Sequence, residues 1–236
     1  MKTVKNIFRL LLPPLLNIFY LLKVFNKLKI FFYRKKFKLE KNFYSRHAFI
    51  LRSIYVRGLE NCKYLEIGVR DNNVFNTIPL RLIQKIGVDP EQGGTHRTTS
   101  DKFFMSNKIK FDVIFIDGLH TYEQCQRDCI NSMSVLKNNG IILFHDFLPN
   151  NIIQEKTNFS GDVWKIAVEL SNSKNVEFKI ANIDCGVGIL KLKNDWEYLK
   201  IPKLKKLTFK DFYKDYFPKL PVVNSEEAFN FIDTIN

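Results

Sequence analysis

The chain has 236 residues, 45% hydrophobic and 26% charged, a globular balance that excludes a disordered or collagen-like chain. Its net charge of +13 is unevenly placed: residues 1–39 hold ten of the 37 Lys and Arg and no acid, leaving 27 basic residues against 24 acidic. The charge thus belongs to an arm and is no pointer to nucleic acid, and no nucleic-acid partner is expected.

The arm opens KTVKNIFRLLLPPLLNIFYLLKVFNKLKIFFYRKKFK. Residues 7–25 are mostly Leu, Ile and Phe, interrupted by Arg9, Pro13, Pro14, Asn17 and Lys23. A spanning helix needs about 20 apolar residues, and a Pro pair breaks or kinks one. No small-residue cleavage site is present, so a cleaved secretory signal is not expected. Beyond the prolines, Leu15, Leu16, Phe19, Leu22, Val24, Phe25 and Leu28 recur at helical spacing among lysines. Such a basic amphipathic helix either lies on an anionic membrane surface or packs on the domain or on a second subunit. Four cysteines, Cys62, Cys125, Cys129 and Cys185, show no metal-knuckle spacing. Cys125 and Cys129 share a helix face and read as buried small apolar residues. A reducing, cytoplasmic location fits, with membrane association through residues 1–40 left open.

Residues 41–61 read as helical and lead into a strand, Lys63–Ile67, that ends Glu66-Ile67-Gly68. A helix is expected over Val74–Gln84, so that strand, acid, glycine turn and helix N-terminus would face a ligand. The phosphate-binding G-x-G-x-x-G is absent, which argues against a dinucleotide. The next strand, Lys85–Val88, ends in Asp89, 23 residues after Glu66, a position suited to ribose hydroxyls. Residues 91–110 contain Gly93–Gly94 and the start of a helix at Ser100–Phe104, so a third strand there must be degenerate.

Two apolar runs follow, Val113–Ile116 and Ile141–Phe144, and each ends in charge: Asp117 with His120, then His145–Asp146. A helix over Tyr122–Leu136 separates them, which makes the strands parallel and puts these residues at their carboxyl ends, where ligands bind in such sheets. Asp162 reads as the N-cap of a helix over Val163–Leu170, and Trp164 as a residue that packs or walls a pocket. Runs Val176–Ile183 and Val187–Leu192, joined by Asp184-Cys185-Gly186, require an antiparallel hairpin. The expected organisation is an arm (1–40), a doubly wound Rossmann-like α/β domain (41–195), mostly parallel with a closing antiparallel hairpin and helices on both faces, and an extension packed on it (196–236).

YLEIGV (64–69), IGVDP (86–90), FDVIFIDGLHTYEQ (111–124) and GIILFHDF (140–147) together resemble the class I S-adenosylmethionine-dependent methyltransferases, over about residues 62–193. Within them the FIDG-x-H and HD motifs are similar to a branch of small bacterial O-methyltransferases. The resemblance implies S-adenosyl-L-methionine as cofactor. Glu66 and Gly68 would sit against its methionine part, Asp89 would take the ribose hydroxyls, and Ser100 and Asp101 would approach the adenine, with Asp117 closing that side. It further implies a divalent metal (Mg, Mn or Zn) held by Asp117, His145 and Asp146, or else His120 or His145 as the base that takes the acceptor proton, with Asp117 beside it. Where the family carries further glycines, this chain has Arg70-Asp71-Asn72-Asn73, which puts cofactor affinity in question.

The implied reaction is O-methylation of a sugar or other small hydroxylated acceptor, a lipid-linked glycan included, in a monomer or homo-oligomer. Two other readings stand beside it. A metal-dependent hydrolase would use Asp117, His120, His145 and Asp146 as ligands and leave Glu66 and Asp89 without a role. A non-enzymatic membrane-surface protein would act through the basic arm alone.

Overall fold

The computed structural model describes residues 44–234 together with Val24, Phe25, Lys27 and Leu28, which are helical and exposed. The amphipathic and membrane readings of residues 1–40 otherwise fall outside the described residues. Among those described, no helix is long and apolar enough to cross a membrane.

Seven strands form one sheet: β1 (Tyr64–Ile67), β2 (Lys85–Val88), β3 (Phe111–Ile116), β4 (Leu136–Phe144), β5 (Lys174–Ala181), β6 (Val187–Glu197) and β7 (Val222–Val223), in the order β2-β1-β3-β4-β6-β5-β7. The first four pair in parallel, β6 runs antiparallel to both β4 and β5, and β7 lies parallel to β5. Alternate residues of β1, β3 and β4 feed two cores. Leu65, Ile67, Ile114, Ile116, Ile142 and Phe144 pack under α3 (Tyr122–Ser134) and α4 (Trp164–Asn172). Tyr64, Val113, Phe115, Ile141 and Leu143 pack under α1 (Arg46–Val56) and α5 (Ser225–Asp233) on the other face. Cys125 and Cys129 are buried free thiols in the first core.

The third strand is as degenerate as the sequence implied, and two other expectations change. The third strand survives as a single parallel bridge, Val88 with His96, so β2 is close to a free edge. The helix expected over Val74–Gln84 is absent: only 3-10 turns form, at Phe75–Thr77 and Leu82–Gln84. Pro79 removes a donor and forces Ile78 into extended backbone, which ends any helix there. Buried Lys85 supplies what the missing helix would have, donating through Nζ to the carbonyls of Phe75 (2.8 Å) and Ile78 (3.1 Å). Asp162, finally, caps a different helix from the one expected. Its Oδ1 accepts from the Tyr122 N–H at 2.6 Å, at the first turn of α3, while its Oδ2 pairs with Lys165 at 2.7 Å.

Residues after β6 complete the domain. The ring of Phe229 stacks on Phe49 of α1 at 4.6 Å, and Arg52 pairs with Asp233 at 2.6 Å. Fully buried Glu169 accepts from Tyr122 Oη (2.7 Å), Gln126 Nε2 (2.8 Å), Tyr198 Oη (2.5 Å) and the Ile201 N–H (2.6 Å), and so ties the segment just beyond β6 to α3 and α4. Trp164 is also fully buried, against Phe212 at 4.7 Å, so it packs the core and walls no acceptor pocket. Trp164→Ala should therefore lower the unfolding free energy by about 3–5 kcal/mol in a denaturant titration. A changed ligand affinity at unchanged stability would contradict that placement.

Candidate functional site

A cavity of about 700 Å³ runs along the carboxyl ends of β1 to β4. It brings together the cofactor, metal and catalytic candidates from sequence: Glu66, Gly68, Asp89, Ser100, Asp101, Asp117, His120, His145 and Asp146.

At one end, Gly68 (φ +86°) brings the turn after β1 onto β3: a Cβ there would stand 2.1 Å from the Asp117 carbonyl oxygen. The turn that lacks further glycines keeps left-handed backbone at Arg70 (φ 53°) and Asn72 (φ 63°). Asn72 pins it by accepting from the Gly94 N–H at 2.8 Å. Asp89 ties the same loops together, accepting from the N–H groups of Arg70 (2.9 Å), Glu91 (2.8 Å) and Gln92 (2.9 Å). Against the cost of burial, these bonds hold its carboxyl below the usual range. A carboxylate accepts about four hydrogen bonds, so room is left for a ligand hydroxyl. Glu66 is buried and takes a 2.6 Å hydrogen bond from Tyr64 Oη. Burial, opposed by that bond, pushes its carboxyl up to about 8. Ser100 and Asp101, also on the cavity lining, begin α2 (Ser100–Ser106), and Gln124 Nε2 donates to Ser100 Oγ at 3.1 Å and to Asp128 Oδ1 at 3.0 Å. Asp101 sits on the rim, paired with Arg127 at 3.2 Å.

At the other end the acids and imidazoles interlock. His145 Nδ1 lies 3.3 Å from Asp117 Oδ1 and 3.1 Å from Asp146 Oδ2, and its Nε2 lies 3.4 Å from Asp184 Oδ1. His120 Nε2 stands 3.3 Å from Asp117 Oδ1 and 3.4 Å from Asp146 Oδ2. Its Nδ1 bonds the Phe159 carbonyl, an acceptor only, so Nδ1 carries a proton and Nε2 is the nitrogen that faces the two carboxylates. Ser160 Oγ donates to Asp146 Oδ1 at 2.9 Å. Gly161 (φ +59°) makes this closure fit, because a Cβ there would collide with the His120 carbonyl.

Although burial would lower it, His145 is raised well above its ordinary value by Asp117, Asp146 and Asp184. Asp117 and Asp184 are held low, against burial, chiefly by the imidazoles. These carboxylates thus favour the protonated form of His145. His120 is also raised, against burial, chiefly by Asp117 and Asp146. One atom each from Asp117, His120 and Asp146 lies within 4.8 Å of the others, a grouping that could hold a metal ion, in which His120 stands where sequence put His145.

Three residues of the site went unassigned from sequence. Arg46 pairs with Asp184 (3.0 Å) and stands 3.2 Å from His145 Nε2. Asp184, in the hairpin turn, reaches the site because antiparallel β6 begins where the parallel strands end. Asp128, on α3, lines the cavity at 1% exposure. An acid in a turn at that sheet edge was a readable signal for Asp184, whereas nothing local marks Arg46.

Residues 82–147, less than a third of the chain, match the model of a methyltransferase domain family. No curated protein matches the chain. Solved structures similar to it include an O-methyltransferase from Bacillus cereus in complex with SAH, at 11% identity and TM-score 0.47, covering 66% of this chain and 84% of that one. Another is the O-methyltransferase TomG from Streptomyces achromogenes, involved in tomaymycin synthesis and bound to SAM, at 11% identity and TM-score 0.48, covering 64% and 82%.

Glu66 supplies a pH test on ligand-free protein. Its folded-state value lies above its unfolded one, so between about pH 5 and pH 8 the folded state holds the extra proton and its contribution to stability falls as pH rises. Glu66→Gln should match wild type in thermal midpoint near pH 5 and exceed it near pH 9. A constant difference across that range would refute a buried, proton-holding Glu66.

Proposed function

We propose that this domain, which has the fold and the matched segment of a class I S-adenosylmethionine-dependent methyltransferase, transfers a methyl group to a hydroxyl oxygen of a small acceptor. The observation that carries the reading is one cavity lined by two chemically distinct sets of residues. Glu66, Asp89 and Ser100 line it together with Asp117, His120 and Asp146. Its volume of about 700 Å³ is within the ordinary range for a cofactor or ligand site.

In this reading Asp89 accepts from the ribose hydroxyls and Glu66 faces the methionine part. When bound, the cofactor supplies an electrophilic methyl on a sulfonium sulfur. Transfer of that methyl to the acceptor oxygen would break the sulfur–carbon bond and leave S-adenosylhomocysteine, a methyl ether and a proton. The chain contributes mostly position, holding the acceptor oxygen near the Asp117–His120 edge.

The donor set at that edge fits a divalent cation. Two carboxylate oxygens and an imidazole nitrogen converge, and the far nitrogen of the imidazole is fixed by a backbone carbonyl. Asp117, His120 and Asp146 would hold the ion, which lowers the pKa of a hydroxyl and orients it. His145, clamped by Arg46 and Asp184, then acts as the outer support of both carboxylates.

The acceptor is a sugar or a similar polyol. Exposed Leu119 (61%) and Phe159 (47%) stand beside Gln154 and Asn158 on the cavity wall. Apolar and polar groups side by side suit a ring with apolar faces and a hydroxylated rim. A metal-dependent hydrolase could use the same cation cluster, yet it leaves the Glu66–Asp89 end without a ligand.

Calorimetric titration separates these readings. Wild type should bind S-adenosylhomocysteine, and Asp89→Ala should weaken that binding about tenfold or more, the loss of one or two good hydrogen bonds. No binding at millimolar ligand would sink the methyltransferase reading. In chelator-treated protein, Mn²⁺ should bind and Asp146→Asn should weaken it at least about tenfold. Equal Mn²⁺ affinity in wild type, Asp146→Asn and His120→Ala would remove the cation from the account.

A further inference from the structure

At the sheet edge opposite the cavity, β2, β1 and β3 begin side by side. The segments that enter these strands each bring exposed aliphatic side chains there: Leu82 and Ile83 before β2, Leu59 before β1 and Ile109 before β3. Leu82 and Ile83 are 73% and 78% exposed. Hydrogen bonds stitch the three segments together. Gln84 Nε2 donates to the carbonyls of Leu59 (2.9 Å) and Glu60 (3.0 Å), and Lys63 Nζ donates to the Ile83 carbonyl (3.0 Å). The Lys63 N–H donates to Asp112 Oδ2 (2.7 Å), and the Asn107 side chain brackets Ile109, accepting from its N–H (3.1 Å) and donating to its carbonyl (2.8 Å). The four aliphatic groups are thus held at one end of the sheet.

An exposed aliphatic residue standing singly needs no explanation, but several grouped within a charged rim mark an interaction surface. The rim here is of one sign. Arg81 precedes Leu82, and Lys108 and Lys110 flank Ile109; all three are exposed. Residues 57–63, 81–85 and 107–112 together hold six Lys and Arg against two acids, Glu60 and Asp112. Asp112 is matched by Lys137 at 2.7 Å, so it offsets little of that charge.

We propose that this edge docks the domain on an anionic phospholipid surface, with Leu59, Leu82, Ile83 and Ile109 entering the interface and Arg81, Lys108 and Lys110 among the headgroup phosphates. Charge complementarity selects that occupant. A second copy meeting this edge through the same residues would set base against base. The arm of this chain, with ten Lys and Arg in residues 1–39 and no acid, is no better a complement. A bilayer rich in acidic lipid carries the opposite charge over its whole surface and takes apolar side chains just beneath it. The cavity lies at the other edge of the sheet, so docking leaves it open.

The test is co-sedimentation of the full chain with phosphatidylcholine vesicles that do or do not contain phosphatidylglycerol. Wild type should bind the acidic vesicles at least about tenfold more tightly, since each basic side chain near such a surface is worth about fivefold. Leu82→Asp combined with Ile83→Asp should weaken binding to acidic vesicles at least about tenfold, through the apolar burial it removes. Lys108→Glu combined with Lys110→Glu should do the same, and decides the matter if the first variant does not fold. Unchanged binding in either folded variant would overturn the proposal and assign vesicle binding to the arm. Failure of wild type to bind acidic vesicles overturns it too. A wild-type dimer in sedimentation that the Leu82→Asp, Ile83→Asp variant converts to monomer would overturn it in favour of a second copy.

Discussion

Asp117 and Asp146 stand at the ends of adjacent parallel strands, both largely buried, and two carboxylates so placed are tolerable only with positive charge between them. The arrangement around them answers that requirement. His145 sits between the pair, raised by them and by Asp184, and Arg46 closes the circuit on Asp184. His120 adds a second nitrogen on the open side, its other nitrogen fixed on a backbone carbonyl. A site organised in this way is stiff at its back and receptive at its front, which suits an acceptor that must be held rather than chemically attacked.

The fold explains why these charges can meet. Parallel strands β1 to β4 all end at one edge, and antiparallel β6 starts there, so the β5–β6 turn delivers Asp184 to the same place. Helix α1 begins at Arg46, at that edge, and its backbone N–H also donates to Asp184 at 3.0 Å. At the other end of the cavity, loops rather than a helix present the backbone: Pro79 breaks the segment after β1, and Asp89 and Asn72 hold the resulting turns by hydrogen bonds.

Much of this was legible in the sequence because parallel strands announce themselves. An apolar run that stops at Asp or His is a strand end, and four such ends gave Glu66, Asp89, Asp117 and the His145–Asp146 pair. The hairpin followed from the short Asp184-Cys185-Gly186 link. What failed was positional detail that depends on three dimensions. The apolar run over 74–84 suggested a helix and concealed the effect of Pro79. Asp162 caps a helix 40 residues away in sequence, and Trp164 turns inward because Phe212, far along the chain, covers it. The contact that fixes the far nitrogen of His120 on the Phe159 carbonyl is likewise one that no local pattern encodes.

The central claim is that one cavity holds a nucleoside end and a methyl-accepting end side by side. A crystal structure of the protein with S-adenosylhomocysteine tests it most directly. The account predicts density for the ribose at Asp89, the base toward Ser100 and the sulfur turned toward Asp117 and His120. Well-ordered ligand elsewhere on the protein, or bound in the cavity with its sulfur away from that cluster, would contradict it.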